Sequence, residues 1–233
     1  LKQLLSHTGG IAAGIGSESV WNLAWQEHIS NTHSTREQRR LCLTALLQSI
    51  PPVAEPGAKQ HVYSNWGYAL VGHMLEHVLD TSYENLLGDH LLRPLGVSEY
   101  GFGMPQGKNQ PWGHGESTEW KPKDPTQTGC DNPTAIAPAG CMHMRIEDWG
   151  RFVAVTLSSP LASEVLGLTS ETHSMLYQPV ASDYSTGGWI ATQRGWAKGG
   201  DVLTHMGSNT MNTCVGWLAL NGLSKDGDDG SSV

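Results

Sequence analysis

The apolar positions change their period along the chain. Leu41, Leu43, Leu46, Leu47 and Ile50 recur at helical spacing and stop at Pro51-Pro52, which predicts a helix ending there. Trp21, Leu23, Trp25 and Ile29 predict an earlier helix. The polar run 30–40 joins the two, and its later part has the composition to begin the second. Tyr68, Val71, Leu75, Val78 and Leu79 predict a helix with those side chains on one apolar face. Residues 83–92 predict another, ending at Arg93-Pro94-Leu95-Gly96. Over 145–157 the pattern predicts a helix with Ile146, Trp149, Phe152 and Val153 inward. In the last third, residues 188–192, 202–205 and 213–220 are short β-rich runs separated by glycine, read as antiparallel strands. Residues 101–138 have no period at all. They are dominated by Gly, Pro, Asn, Thr and Trp, which predicts a binding or wrapping loop.

Turn residues punctuate this pattern. Residues 4–10, Leu-Leu-Ser-His-Thr-Gly-Gly, end a helix-like segment in a double-glycine turn, where glycine adopts positive φ cheaply. The stretch 56–87 opens on Pro56-Gly57 and runs through Tyr63-Ser64-Asn65 into its helix. Ser64 or Asn65 suits the N-cap, accepting a hydrogen bond from a first-turn N–H that has no partner within the helix. Residues 225–232 are acidic, glycine- and serine-rich, and read as a solvated or disordered tail. Their pattern resembles a calcium loop, but the closing glutamate is missing.

Composition narrows the classes. The chain has 233 residues, a net charge of −8 and only 14 lysines and arginines. With no basic cluster, nucleic acid is excluded as an expected partner. No apolar run reaches the length of a membrane span. With glycine counted and tyrosine left out, the apolar fraction is about 48%, as in ordinary globular chains. Cys42, Cys130, Cys141 and Cys214 form no Cys-x-x-Cys pair, which excludes a zinc ribbon or a thioredoxin-like site. Scattered thiols and a single Cys130–Cys141 bridge both remain open.

Five ordered matches give the chain a family resemblance. They are residues 4–10; Pro56-Gly57 with Tyr63-Ser64-Asn65 and Gly67-Tyr68; Pro94-Leu95-Gly96; Pro138-Ala139-Gly140 before a helix with Asp148 and Arg151-Phe152; and His205 with Gly207-Ser208. Together they resemble the serine β-lactamase and D,D-peptidase superfamily, in particular the branch with class C β-lactamases, D-alanyl-D-alanine carboxypeptidases and related esterases. The resemblance implies an α/β (α+β) fold of the β-lactamase/transpeptidase type, a helical lobe packed on an antiparallel sheet. It implies a mostly helical lobe over 1–180, sheet strands over 181–222 and a tail over 223–233. It also implies a small-molecule or peptide acyl substrate, acyl transfer through a serine ester, and no cofactor or metal.

The sequence departs from the family at the nucleophile. The family uses Ser-x-x-Lys at a helix start, placing both side chains on one face. No lysine of this chain has a serine three positions before it. In the family that motif precedes the segment matched by residues 4–10. The expectation is therefore a hydrolase fragment, short at both ends, with its nucleophile upstream. A homologue without catalysis is the alternative. Of the residues present, Tyr63 matches the tyrosine that shuttles a proton between nucleophile and leaving group. Asn65 matches the residue that bonds the substrate's acyl amide. His205 stands where many relatives carry lysine. Gly207 lets the substrate backbone approach, and the N–H of Ser208 matches an oxyanion donor.

Two further patterns compete. His73, Glu76 and His77 fit a His-x-x-Glu-His zinc protease signature on a helix. Trp112, Trp120, Trp189 and Trp196 are cleft candidates, whereas Trp21, Trp25 and Trp149 are assigned to packing.

Overall fold

The computed structural model describes residues 1–55, 58, 60–107, 109–115 and 121–222. The Pro56-Gly57 turn, Trp120 and the acidic tail fall outside the described residues. Helices come first: α1 Lys2–Leu5, α2 Glu18–Ser30, α3 Thr35–Ser49, α4 Asn65–Leu79 and α5 Tyr83–Leu87. A π-helical turn, Gly88–Leu92, extends α5. After the irregular stretch come a 3₁₀ turn, Thr134–Ile136, and α6 Ala137–Gly140, then α7 Ile146–Leu157, α8 Ser159–Leu166 and α9 Ser170–Tyr177. The strand pair β1 Tyr100–Phe102 and β2 Met142–Met144 brackets the irregular stretch.

The strands β3 Pro179–Ala181, β4 Tyr184–Ser185, β5 Ile190–Gln193, β6 Asp201–Ser208 and β7 Thr213–Ala219 form an antiparallel meander in chain order. The three longest are the runs expected from the sequence. Strands β1 to β4, of two or three residues each, carry too little period to be read from it. Leu203 of β6 faces Leu218 of β7, and Trp149, Phe152 and Val153 of α7 and Tyr177 of α9 pack against them with Trp189. His205 and Gly207 follow Leu203 at intervals of two, so their positions fall on the sheet face turned toward the helices.

Serine and threonine side chains start most of the longer helices. Ser17, Ser34, Ser64, Ser82, Ser158 and Thr169 each accept a first-turn N–H as N-cap. The main core gathers Val20 and Ala24 of α2, Cys42, Leu43 and Leu46 of α3, Trp66 and Ala69 of α4, and Ala135-Ile136. Two apolar faces differ from the sequence reading. On α4, Val78 and Leu79 are 77% and 53% exposed, and the helix buries Trp66, Ala69, Val71, Gly72 and Glu76 instead. On α7, Ile146 is 74% exposed, because it is the first residue of the helix and precedes the turn that meets the sheet.

Glu76 turns inward because a cation waits there. Arg39 of α3, fully buried, donates to Glu76, to Glu84 at 2.9 Å and to the Ala135 carbonyl at 3.1 Å. Glu76 also accepts the Tyr83 N–H at 2.9 Å, and the Arg39 guanidinium lies 5.6 Å from the centre of the Tyr83 ring. The four cysteines are free thiols, so the Cys130–Cys141 bridge weighed above is not formed. Among the described residues no helix is long and apolar enough to cross a membrane.

Candidate active site

The Tyr63-Ser64-Asn65 tripeptide is fixed on both sides by the loop after α1. The Val62 N–H donates to the His7 carbonyl at 2.8 Å, and the Gly14 N–H donates to the Tyr63 carbonyl at 2.8 Å. The Asn65 N–H returns to the Gly14 carbonyl at 2.9 Å, and the Ser64 N–H donates to His7 Nδ1 at 3.1 Å. Ser64 is extended (φ −143°, ψ 118°), so its neighbours project to the opposite side from its own side chain. The Ser64 hydroxyl turns inward and caps α4 through the Gly67 N–H. Tyr63 and Asn65 are thereby left to the cleft. The capping role read from the sequence is real and belongs to Ser64. It frees Asn65 for other work. Gly10, with φ of 73°, lets the loop double back; a side chain there would collide with the Ala54 carbonyl.

A cleft of about 1280 Å³ runs between this edge and the sheet. Tyr63, Asn65, His205, Gly207 and Ser208 all line it. The structure therefore brings together all five residues singled out in the sequence. Met104, Asp131, Cys141 and His143 also line it, and Met104 and Asp131 accept from Asn212 and Asn209 in the turn after β6. Tyr63 is 45% exposed, and the buried part of its ring pushes its phenol above the ordinary tyrosine value. His205 Nε2 meets the Tyr184 hydroxyl at 3.3 Å, and burial lowers its pKa. At neutral pH the imidazole is uncharged.

Behind Tyr63 lies a group the sequence did not reveal. His7 is 4% exposed, with its ring centre 4.4 Å from Tyr63, 5.1 Å from Tyr68, 4.9 Å from Tyr184 and 5.4 Å from His61. Its Nδ1 accepts from Ser64, so the neutral ring carries its proton on Nε2, and Nε2 has no partner among the described residues. Burial, then the nearby His61 and His205, lower its pKa to about 4. The Tyr68 hydroxyl donates to the Leu5 carbonyl at 2.8 Å. His7 lies in a recognised motif, but nothing local announces its contacts with residues from two distant segments, 61–68 and the strand at Tyr184. Tyr184 sits in a two-residue strand with no readable period.

The tryptophans are placed differently from the expectation. Trp21 and Trp25 line the cleft, Trp189 is buried under the sheet, and Trp112 and Trp196 lie outside the lining. The zinc signature does not assemble. Glu76 is engaged by Arg39 and Tyr83, and its second oxygen lies 3.3 Å from His73, while His77 is exposed. No metal-binding group of three or more His, Cys, Asp or Glu side chains occurs among the described residues.

The chain matches the Beta-lactamase family over residues 1–224. It belongs to that family. Solved structures share its fold. A penicillin-binding protein from Bacillus halodurans is 18% identical, with a TM-score of 0.68 over 95% of this chain and 66% of its own. A D-stereospecific amidohydrolase from a Streptomyces species is 20% identical, with a TM-score of 0.69 over 95% of this chain and 64% of its own. A class C beta-lactamase mutant is 15% identical, with a TM-score of 0.63 over 94% of this chain and 61% of its own. The chain thus spans less than two thirds of the length of these relatives. A search among curated proteins gives no match. The fold is the mixed β-lactamase/transpeptidase-like arrangement of helices and antiparallel sheet, and the family is one of serine hydrolases.

Proposed function

We propose that these residues form the substrate cleft of a serine hydrolase that transfers the acyl group of an ester, amide or β-lactam. The observation that carries this is the convergence of Tyr63, Asn65, His205, Gly207 and Ser208 on one cleft from distant parts of the sequence. In this reading the mostly helical lobe, 1–180, supplies Tyr63 and Asn65. The sheet lobe, 181–222, supplies His205, Gly207 and Ser208.

Each residue takes one task. Tyr63 relays a proton between nucleophile and leaving group, with its phenol partly open to the cleft. Asn65, held by its own N–H on Gly14, bonds the acyl amide. The Ser208 N–H offers one oxyanion donor, and Gly207 leaves the edge of the strand open to substrate. The nucleophile would come from a Ser-x-x-Lys outside these residues, since no lysine here has the required serine. Serine needs a neighbouring base to lose its proton, and Tyr63 with the family lysine is the arrangement that supplies one.

The test is binding followed by mass analysis. Penicillin G should bind the chain saturably without forming an adduct. Asn65→Ala should weaken binding about tenfold, the loss of one or two hydrogen bonds. Extending the protein upstream to include Ser-x-x-Lys should give a stoichiometric acyl adduct, and Tyr63→Phe should slow its formation by about 10²–10⁴-fold. A stoichiometric adduct on any serine of residues 1–233, or binding indifferent to Asn65, would overturn the proposal.

A further inference from the structure

The cleft contains a carboxylate that the proposed chemistry does not use. Asp131 lines the cleft beside the turn that follows β6, in the stretch without regular structure. Its Oδ1 accepts two hydrogen bonds, from Asn209 Nδ2 at 2.8 Å and from the Asn132 N–H at 2.7 Å. Both fix its orientation. Asn209 follows Ser208 directly, and its own carbonyl oxygen Oδ1 accepts the Met211 and Asn212 N–H groups at 3.1 and 2.7 Å. The asparagine is thus clamped in the turn after β6 and holds the aspartate from there. Asp131 Oδ2 receives no hydrogen bond, and no lysine or arginine pairs with Asp131, among the described residues. The other full charges in the cleft lining, Glu99 and Arg145, pair with each other at 2.5 Å.

A half-buried carboxylate without a cation is uncomfortable. Burial pushes the Asp131 pKa up, while the bonds from Asn209 and Asn132 and the nearby His143 and His28 pull the other way. Those groups orient and partly compensate the charge without neutralising it. A ligand cation would do so, and a buried site makes that attraction stronger than in water. The chain's net charge of −8 also favours the approach of cations.

We infer that Asp131 with Asn209 forms a subsite for a positively charged group, an ammonium or guanidinium, on the acyl side of the substrate. The inference rests on the cleft being the acyl-substrate site proposed above. The position of Asn209 immediately after Ser208 sets the scale. One strand residue advances about 3.4 Å, so the subsite is within reach of a short alkyl arm on an acyl group held at the Ser208 N–H. The class is therefore an ω-amino or ω-guanidino acyl compound, in place of a plain alkanoyl one.

The test uses two matched probes, 6-aminohexanoyl-D-alanine methyl ester and its hexanoyl counterpart, titrated at pH 8 by tryptophan fluorescence, since Trp21 and Trp25 line the cleft. The amino compound should bind about tenfold tighter at low salt. Asp131→Asn keeps an oxygen for Asn209 and should erase the preference while leaving the hexanoyl compound unaffected. Equal binding of the two probes by the wild type, or a preference that survives Asp131→Asn, overturns the subsite alone. If neither probe binds, or if Asn65→Ala affects neither, both the subsite and the acyl cleft fall.

Discussion

Two clusters of buried polar side chains sit at the two ends of α4, and they are satisfied to different degrees. Toward its C-terminal end, Arg39 donates to Glu76, Glu84 and the Ala135 carbonyl, and Glu76 also takes the Tyr83 N–H. These bonds tie α3, α4, α5 and the turn at 134–136 into one unit. At its N-terminal end, His7 accepts from Ser64 on one nitrogen, and the other has no partner among the described residues. Buried polar atoms are almost always bonded, so an orphan one asks for a reason. Where every polar atom is spent, a cluster can only hold the fold together. Where one is left over among the described residues, close to Tyr63 and His205, the cluster is neutral and poorly compensated, and it can respond to pH.

The largest effect should come from the satisfied end. Glu76→Ala leaves the Arg39 guanidinium without its fully buried partner, and removing one member of a buried pair typically costs about 3–5 kcal/mol. Urea denaturation reads this as a shift in midpoint at constant slope. The double replacement Arg39→Met with Glu76→Leu should recover much of the loss, because both desolvation penalties go together. A single-mutant loss under about 1 kcal/mol would show that Glu84 and Ala135 suffice for Arg39 and that the pair is not the scaffold.

The unsatisfied end should respond to pH instead. The fold keeps His7 neutral, with its pKa lowered from the usual 6.5 to about 4. As pH falls below about 6.5, the unfolded chain binds a proton that the folded chain refuses until about 4. Stability is therefore full above 6.5 and falls toward 4. The span is worth about 3 kcal/mol at most from this residue. In His7→Gln, which can still accept from Ser64, that part of the slope should vanish. Denaturation series from pH 4 to 7.5 on both proteins decide it. Identical slopes would mean that His7 is solvated or bonded in solution, and the contrast between the two ends would disappear.

These two clusters also show what the sequence can carry. The long periodic elements were legible: α3, α4, α7 and the strands β5 to β7 follow directly from spacing and turn residues. So was the cleft, because Tyr63, Asn65 and His205-Met-Gly-Ser sit in ordered motifs. The partners were not. Arg39 with Glu76 and His7 with Tyr184 meet through tertiary packing, and nothing in local pattern marks a buried polar group. Glu76 even misled, because His73 and His77 around it imitate a metal motif. The faces of α4 and α7 were misjudged for a related reason. Apolar period says that a helix is amphipathic, and it does not say that a neighbour covers each residue of the stripe. Val78 and Ile146 have none over most of their surface.

The smallest effect, and the finest test of the unsatisfied end, concerns His205. Many relatives place a lysine here, a permanent cation suited to a substrate carboxylate. His205 is held neutral by burial and touches the Tyr184 hydroxyl at 3.3 Å. Above neutrality it can exchange one hydrogen bond with a ligand but exerts no Coulomb attraction. We therefore expect the cleft to favour uncharged esters and amides at pH 8. A carboxylate ligand should gain as pH falls and the imidazole takes up its proton. Because burial lowers the pKa, that gain belongs below 6.5 and not above it. A partly exposed ion pair is worth up to about 1–2 kcal/mol, so the ratio of affinities for a matched carboxylate and methyl ester should change about tenfold across the titration. His205→Lys should hold the ratio at the carboxylate-favouring value from pH 5.5 to 8.5. The measurement is that ratio in both proteins, at constant ionic strength. A wild-type ratio flat with pH, or one that His205→Lys leaves unchanged, would show that His205 does not read ligand charge. The pH response of this end of α4 would then belong to His7 alone.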